Sequence, residues 1–209
     1  GDFGSVFEGF INAPLSDRAA LRLVGWYRDD GGYIDNIPGS RTYATSGITQ
    51  NNAALVEKNY NDAETYGARL ALGIELNDSW TIKPTLMGQV QKAEGSYARE
   101  RSGQNSGDYQ IVQYNPESSK DKWIQAAMTI EGKIGNWDMT LTGGHLRRKT
   151  NTESDYSDYG YFYDALSGYG AYWYDNAGDP VSPNQYIQGI DRYRKSFAEF
   201  RVSSPQDAS

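Results

Sequence analysis

Residues 65–91 decide the fold, and they read TYGARLALGIELNDSWTIKPTLMGQVQ. Up to residue 76 an apolar side chain occupies every second position, and small or charged side chains occupy the alternate ones. Residues 77–79 (NDS) favour a tight turn, and the same period resumes at Trp80. A period of two places all apolar side chains on one face of a strand, so this stretch predicts an antiparallel hairpin. Only Pro84 conflicts, because proline cannot donate a ladder hydrogen bond and usually marks an edge strand or a bulge.

The same two-faced pattern recurs along the chain and predicts about seven strands. They cover residues 7–13, 19–27, 65–76, 80–91, 123–134, 137–143 and 195–202. Tight turns at 14–18, 77–79 and 135–136 alternate with long connections at 29–64, 92–122 and 146–191. Long structureless loops are uncommon in compact soluble domains, whereas outer-membrane barrels combine short periplasmic turns with long extracellular loops. We therefore expect an all-β fold, a partial antiparallel up-and-down transmembrane β-barrel.

Composition excludes several classes of function. The 209 residues carry a net charge of -7, which argues against nucleic acid as a partner. The absence of cysteine excludes thiol nucleophiles and thiolate zinc sites, and a single histidine argues against a zinc or triad hydrolase. We expect no enzyme, no catalytic residue, no cofactor and no metal site.

The charged strand positions share one face of the predicted sheet, opposite the apolar rows. In a barrel the lipid side must be apolar, so we expect this polar face to line the lumen. Its members are Arg22, Arg69, Glu75, Lys83, Glu131, Lys133, Glu199 and Arg201. Trp80 and Trp137 begin strands on the apolar row directly after tight turns, where a periplasmic aromatic girdle would lie. Ordinary core packing is the alternative for each tryptophan.

The third long connection is the most aromatic part of the chain. Within residues 156–174 we predict ligand contacts by Tyr156, Tyr159, Tyr161, Tyr163, Tyr172, Trp173 and Tyr174. Aromatic faces with polar rims bind sugars, aryl groups and flat chelates, although the rings could instead pack the loop onto its neighbours. Residues 175–179 (DNAGD) lack the spacing of an EF-hand, so we predict a turn there.

Three segments, spread along the chain, carry a family resemblance. Residues 8–23 (EGFINAPLSDRAALRL), followed by 31–36 (GGYIDN), resemble the early barrel of a TonB-dependent receptor. In that family a Gly-Pro-Leu-like turn precedes an Ala-Leu-Arg-Leu strand, and Ala13 here stands in place of the frequent glycine. Residues 66–69 (YGAR), with the turn at 77–78 (ND), resemble the next hairpin of such receptors. Residues 199–205 (EFRVSSP) are similar to the family's Glu-Leu-Arg-Ile-Ser-Ser segment.

The resemblance implies a barrel of about 22 strands with an N-terminal plug domain, in the bacterial cell outer membrane. Such receptors take up scarce nutrients, such as an iron-siderophore, a vitamin or an oligosaccharide, with energy passed through TonB. Neither a plug nor a TonB box is found in this sequence, so residues 1–209 are expected to be part of the barrel domain. The implied partners are outer-membrane lipid and lipopolysaccharide, the protein's own plug and, through it, TonB, and a small-molecule or oligosaccharide ligand.

Two other functions stay open from the residues alone. A secreted carbohydrate-binding β-sandwich or solenoid could use residues 156–174 as a stacking platform, and solubility as a monomer would favour it. An acidic glycoside hydrolase would need a carboxylate pair about 5 to 10 Å apart, and no Asp or Glu pair lies on a convincing cleft scaffold.

Overall fold

The structure is a computed structural model that describes residues 1–98, 107–170 and 173–205. Its elements are mostly strands. In chain order they are β1 (Ser5–Ser16), β2 (Ala19–Asp30), β3 (Asp35–Asn36), β4 (Ser40–Thr42), β5 (Thr49–Asn51), a 3-10 helix (Ala53–Leu55), β6 (Ala63–Asn77), β7 (Trp80–Glu94), β8 (Gln110–Ile111), β9 (Ser118–Ile134), β10 (Trp137–Asp155), α1 (Ser157–Ala165) and β11 (Tyr186–Ser203).

All seven predicted strands form, and they make one sheet in the order β1-β2-β6-β7-β9-β10-β11. Every neighbouring pair is antiparallel. Because spatial order follows chain order, each strand pairs with the strands next to it in sequence, as in an up-and-down meander. The tight turns are confirmed, with two residues between β1 and β2, between β6 and β7 and between β9 and β10. Over the described residues this sheet is open, with β1 and β11 at its edges, and does not close into a barrel.

Strand lengths differ from the prediction. Five of the seven strands have 15 to 19 residues, whereas the apolar alternation predicted roughly 8 to 12 residues, close to a bilayer-spanning strand. Alternation marks only the part of a strand with one apolar face, while backbone pairing continues into segments that are polar on both faces. The long connections therefore shrink to residues 31–62, 95–117 and 156–185, which we call the first, second and third loops. The short strands, the 3-10 helix and α1 lie in these loops and were not predicted.

Pro84 lies inside β7, a central strand, rather than at an edge or a bulge. On one side Pro84 pairs with Met128 of β9 in an unbroken ladder. On the other side the ladder with β6 has a gap at Pro84. The last pair before the gap is Ala71 with Thr85, and the first pair after it is Ile74 with Ile82. The register is the same before and after the gap, so the lost hydrogen bond is accommodated locally.

The sheet is a single layer with two chemically different faces. Directly paired residues project to the same side, so the apolar face can be followed across strands from Leu23 to Leu70, Leu86 and Ala126. Large apolar side chains on this face are exposed, including Leu70 at 36%, Leu86 at 45% and Met128 at 47%. No second sheet covers them among the described residues, because the only other sheets are two-stranded ribbons in the loops.

The buried core lies in the loops instead of the sheet. Its buried side chains are Ile34, Asn36, Arg41, Tyr43, Asn52, Asn61, Ala63, Ile111, Val112, Tyr114, Asn115, Ser157, Asp164 and Pro183. All but Ala63 belong to the three loops. Within the described ranges, none of the helices has the length and apolar character needed to cross a membrane.

Candidate functional site

The three loops interlock into a cap at one end of the sheet. The first and second loops join through the parallel pair of β3 with β8, in which Asn36 lies opposite Ile111. The second and third loops join where the Asn115 and Asn184 side chains donate hydrogen bonds to each other's Oδ1 at 3.0 and 2.9 Å. The Tyr114 amide also donates to Oδ2 of Asp155 at 2.7 Å. The tight turns lie at the opposite end of the sheet, so the cap covers one end only.

Arg41 joins the first loop to the third and is 7% exposed. Its Nη1 donates to Oδ1 of Asp158 at 2.7 Å, and its Nη2 donates to the Ser157 hydroxyl. The guanidinium lies 3.8 Å from the ring centre of Tyr114 and 5.1 Å from that of Tyr161. Two aromatic rings and two side chains of α1 thus hold one buried cation, and no sequence pattern singled this arginine out.

Burial sets the electrostatics of the cap. It raises the pKa of the Tyr43 and Tyr114 phenols and raises the pKa of Tyr60 to about 12. Burial, together with the charge of Asp155, also raises the pKa of Glu117 above its ordinary value. One carboxylate oxygen of Glu117 is buried without a hydrogen-bond partner among the described residues.

The predicted aromatic contacts of the third loop divide into two groups. Tyr156, Tyr159 and Tyr163 form a continuous series of rings that ends at Tyr169, which was not among the predicted contacts, with successive centres 4.8, 4.5 and 6.1 Å apart. Tyr156 and Tyr159 are stacked and are 40% and 46% exposed. A hydrogen bond with Tyr163 raises the pKa of the Tyr159 phenol. Tyr156, Tyr159 and Tyr163 form a ladder along one side of α1, because positions three and four apart share a helix face. Tyr169 extends this ladder beyond the end of α1.

The remaining predicted contacts lie elsewhere. Tyr161 is on another side of α1 and packs against Tyr43 with ring centres 5.7 Å apart. The exposed residues Trp173 and Tyr174 lie in a narrow backbone ribbon, where the Trp173 carbonyl accepts from the Val181 amide at 2.9 Å. Tyr172 is outside the described residues. The predicted turn at 175–179 forms, since the Asp175 carboxylate accepts from the backbone amides of Ala177 and Asp179.

The eight predicted lumen residues all lie on the polar face of the sheet. The pairing registers place them there together: Arg22, Arg69, Glu75, Lys83, Glu131, Lys133, Glu199 and Arg201. Several are paired, as in Lys83 with Glu131 at 2.5 Å and Lys133 with Asp138 at 3.4 Å. Arg201 contacts Glu199 at 2.5 Å along one strand. These pairs make the turn-side half of the polar face a network of exposed charges.

A transverse row of side chains on the polar face was not predicted as a site. Cross-strand pairing aligns Glu8, Trp26, Gly67, Gln89, Trp123, Arg148 and Tyr193 across all seven strands. The Trp26 ring lies over Gly67, where a Cβ would collide with it. A cavity of about 710 Å³ borders six residues of this row, and its other ten lining residues lie on the apolar face, among them Lys122, Ile124, Arg147, Lys149, Arg192 and Arg194. A smaller cavity beside it is lined by Arg148, Thr150, Asp191 and Tyr193.

The apolar face ends in charged residues on the loop side and in tryptophans on the turn side. Trp80 and Trp137 are both on this face; Trp80 lies over Gly132, and Trp137 is 51% exposed. Near the loops, Lys149 lies between Lys122 and Arg192, and Arg147 lies beside Arg194. Lys120 lies opposite Lys92. Among the described residues, Lys92 pairs with Glu64, whereas Lys120, Lys122, Arg147, Lys149, Arg192 and Arg194 have no ion-pair partner.

Within the described parts of the chain, no group of three or more His, Cys, Asp or Glu side chains could hold a metal ion. His145 contacts the Ser196 hydroxyl through Nδ1 at 2.9 Å and accepts a hydrogen bond from Arg147 at 3.3 Å. Comparison with protein-family models, with curated proteins and with solved structures found no match.

Proposed function

We propose that the chain is part of an outer-membrane β-barrel that takes up a nutrient, of the TonB-dependent receptor type. The observation that carries the proposal is the single-layer sheet with an exposed, continuous apolar face and all its long loops at one end. Monomeric soluble proteins rarely expose apolar patches larger than a few hundred Å². A bilayer is the solvent that makes such a face favourable, because lipid chains cover it without a second protein layer.

The dimensions of the apolar face fit this solvent. On β7 it runs from Trp80 to Val90, and on β9 it runs from Ile124 to Ile134, eleven residues in each case. Between its first and last Cα such a segment has ten steps of ~3.3 Å, so it spans about 33 Å. With a tilt of ~40° it covers about 25 Å of bilayer, the height of the apolar band of outer-membrane barrels.

The residues at the two limits of the face support the same placement. Trp80 and Trp137 lie at the turn end, in the position of an interfacial girdle. At the loop end, Lys122, Lys149 and Arg192 lie side by side without counter-ions among the described residues. Like charges directly opposite each other destabilise a sheet, so an anionic partner is expected. The phosphates of lipopolysaccharide in the outer leaflet supply that charge, and the turn end then faces the periplasm.

The polar face and the cap suit a receptor. The polar face would line the lumen, against a plug domain through which TonB would act. The tyrosine ladder on α1 would be exposed outside the cell, where it could make the first contact with a ligand. No residue of the chain is assigned a catalytic role.

Quenching of tryptophan fluorescence by brominated lipid tests this placement. We expect vesicles with brominated acyl chains to quench the folded chain, because Trp80 and Trp137 contact lipid. W137F should lose a large share of the quenching, whereas the matched variant W123F should retain it, since Trp123 is on the polar face. A chain that stays soluble and monomeric and is not quenched would contradict the proposal.

A further inference from the structure

We propose that the tyrosine ladder on α1 is a docking surface for a basic polypeptide segment, one rich in arginine or lysine. The inference rests on the proposed function in one respect, because the cap must face the external solution for such a partner to reach it. It goes beyond that function by naming the chemistry of the partner that meets the ladder first.

One side of α1 packs against the first loop and fixes the helix there. The buried residues of α1 are Ser157, Gly160 and Asp164, which are three to four positions apart and so share this side. The residues of the first loop that contact α1 are Arg41, Tyr43 and Thr45. Because this side anchors the helix, the tyrosine ladder on another side of α1 is not needed to attach the third loop.

The ladder is an exposed row of rings and not the wall of a pocket. Tyr156 and Tyr159 are exposed, and Tyr169 at the end of the row is more exposed than either. The two cavities described above have none of these rings in their lining. Aromatic cages that bind small quaternary ammonium ions enclose the cation with several rings. A row of rings along a helix instead offers successive faces to successive side chains, so the shape favours a polypeptide over a small molecule.

The third loop is acidic and has no basic residue in its sequence. Residues 156–185 contain no lysine, arginine or histidine, and their four aspartates are Asp158, Asp164, Asp175 and Asp179. Three of the four are exposed, and Asp158 is exposed although it pairs with Arg41. Complementary charge speeds association and rejects partners of the same sign. The loop therefore favours a basic partner over an acidic one.

The cap already holds one arginine with the residue types that the ladder presents at the surface. The guanidinium of Arg41 lies 3.8 Å from the ring centre of Tyr114 and 5.1 Å from that of Tyr161. Its Nη1 donates to Asp158 at 2.7 Å. Such contacts are weaker at an exposed site than at a desolvated one. A partner of the ladder would thus need several cations in one chain, which again indicates a basic polypeptide.

The ladder is also ordered before any partner arrives. Tyr156 and Tyr159 are stacked on each other, and Tyr159 is hydrogen-bonded to Tyr163. Tyrosine supplies a large amphipathic contact area at a low cost in conformational entropy, which is why binding surfaces of antibodies are rich in it. A helix anchored on one side and rings in mutual contact on another reduce that cost further.

The experiment measures the binding of a labelled octa-arginine peptide to the full 209-residue chain by fluorescence anisotropy. The chain is held in micelles of a nonionic detergent, since a phosphocholine headgroup carries a quaternary ammonium that would compete for the rings. We expect octa-arginine to bind, and peptides of the same length made of glutamate, or of alternating glycine and serine, to bind at least about tenfold more weakly.

Paired variants decide whether the ladder is the site. Y156A/Y159A removes two rings without changing the net charge, so we expect the affinity for octa-arginine to fall about tenfold. Y156F/Y159F keeps both ring faces and should retain most of the affinity. Y109A removes an exposed tyrosine of the second loop and should bind as the unmodified chain does. Hydrogen exchange of the loop peptides should be the same in all variants, which separates loss of a contact from loss of the fold.

Three outcomes would overturn the proposal. The first is no binding of octa-arginine. The second is unchanged affinity in Y156A/Y159A, because the peptide would then bind another acidic part of the chain. The third is equal competition by arginine amide at the same concentration of guanidinium groups, which would indicate a site for a small cation.

Failure of the proposed function is a separate result. A chain that binds octa-arginine through Tyr156 and Tyr159 but is not quenched by brominated lipid contradicts the membrane placement alone. A chain that is quenched but does not bind octa-arginine contradicts the docking surface alone.

Discussion

Arg41→Ala should release the third loop from the first while leaving the sheet intact. The side chain is 7% exposed and makes three kinds of contact: the ring of Tyr114 at 3.8 Å, the Ser157 hydroxyl, and Asp158 at 2.7 Å. A desolvated cation–π contact contributes about 2 kcal/mol. A charged hydrogen bond to a buried hydroxyl contributes about 1.5 kcal/mol. Asp158 is 78% exposed, so its ion pair adds less than about 1 kcal/mol.

Allowing for partial collapse of the site in the variant, we expect the free energy of opening the cap to fall by about 3 kcal/mol. That corresponds to about 150-fold faster amide exchange for segments that exchange by opening of the cap. Hydrogen exchange with mass spectrometry measures this on peptides that cover β4, β5 and α1. The Thr45 amide is a specific reporter, because it donates to the Asp164 carboxylate across the same contact. Peptides from β7 and β9 should exchange as before.

Two variants control for charge and for position. Arg41→Lys keeps the charge but loses the planar fork and the stacking, so most of the effect should remain. Arg147→Ala removes an exposed arginine from the sheet and should leave the cap unchanged. If Arg41→Ala changes exchange in the loop peptides by less than threefold, the buried cation does not hold the cap and this reasoning is wrong.

Three further predictions test the faces of the sheet and the cap. Leu86→Arg, at the middle of the apolar face, should lower the free energy of unfolding by about 2 to 4 kcal/mol, as measured by urea titration in phospholipid vesicles. Thr85→Arg, its neighbour on the polar face, should change this free energy little. Replacing Lys149 and Arg192 by glutamine should weaken the salt-dependent binding of lipopolysaccharide micelles by about 1 kcal/mol per charge. Lys133→Gln at the turn end should leave this binding unchanged, and equal losses of binding in both variants would argue against a phosphate site at the loop end. Burial raises the pKa of Glu117, so the folded state holds its proton to higher pH than the unfolded state, and the stability of the cap should fall as pH rises from about 4.5 to the raised pKa. Glu117→Gln should abolish this pH dependence in hydrogen-exchange measurements at pH 4 and pH 7. An unchanged pH dependence in the variant would assign the effect to another group.

The strands were predictable because their information is local. A period of two residues and a turn of two or three residues fix which side chains share a face and which residues of a hairpin lie opposite each other. For example, the pairing of Tyr66 with Val90 follows from the short turn before Trp80. The ends of the strands were not predictable, because beyond the apolar band nothing in the residue pattern separates a paired strand from a polar loop.

The transverse row on the polar face and the cap were not predictable, for a related reason. Trp26 aligns with Gly67, and Gln89 aligns with Trp123, only through registers that cross the first and second loops. Long connections leave such registers open, so alternation within each strand puts Trp26 and Trp123 on the polar face but does not put them in one row. Arg41 gave no signal at all, because its partners Ser157 and Asp158 are more than a hundred residues away.

The separation of short-range and long-range contacts implies an order of folding. Each strand of the sheet pairs with its neighbour in sequence, so hairpins can form one after another as the chain becomes available. The cap needs contacts such as Arg41 with Asp158, which are 117 residues apart. Such contacts can offset the entropy cost of closing so long a loop only after β10 has joined the sheet. The cap therefore closes last, and a protease that cuts open loops but not closed ones would distinguish finished molecules from those still assembling.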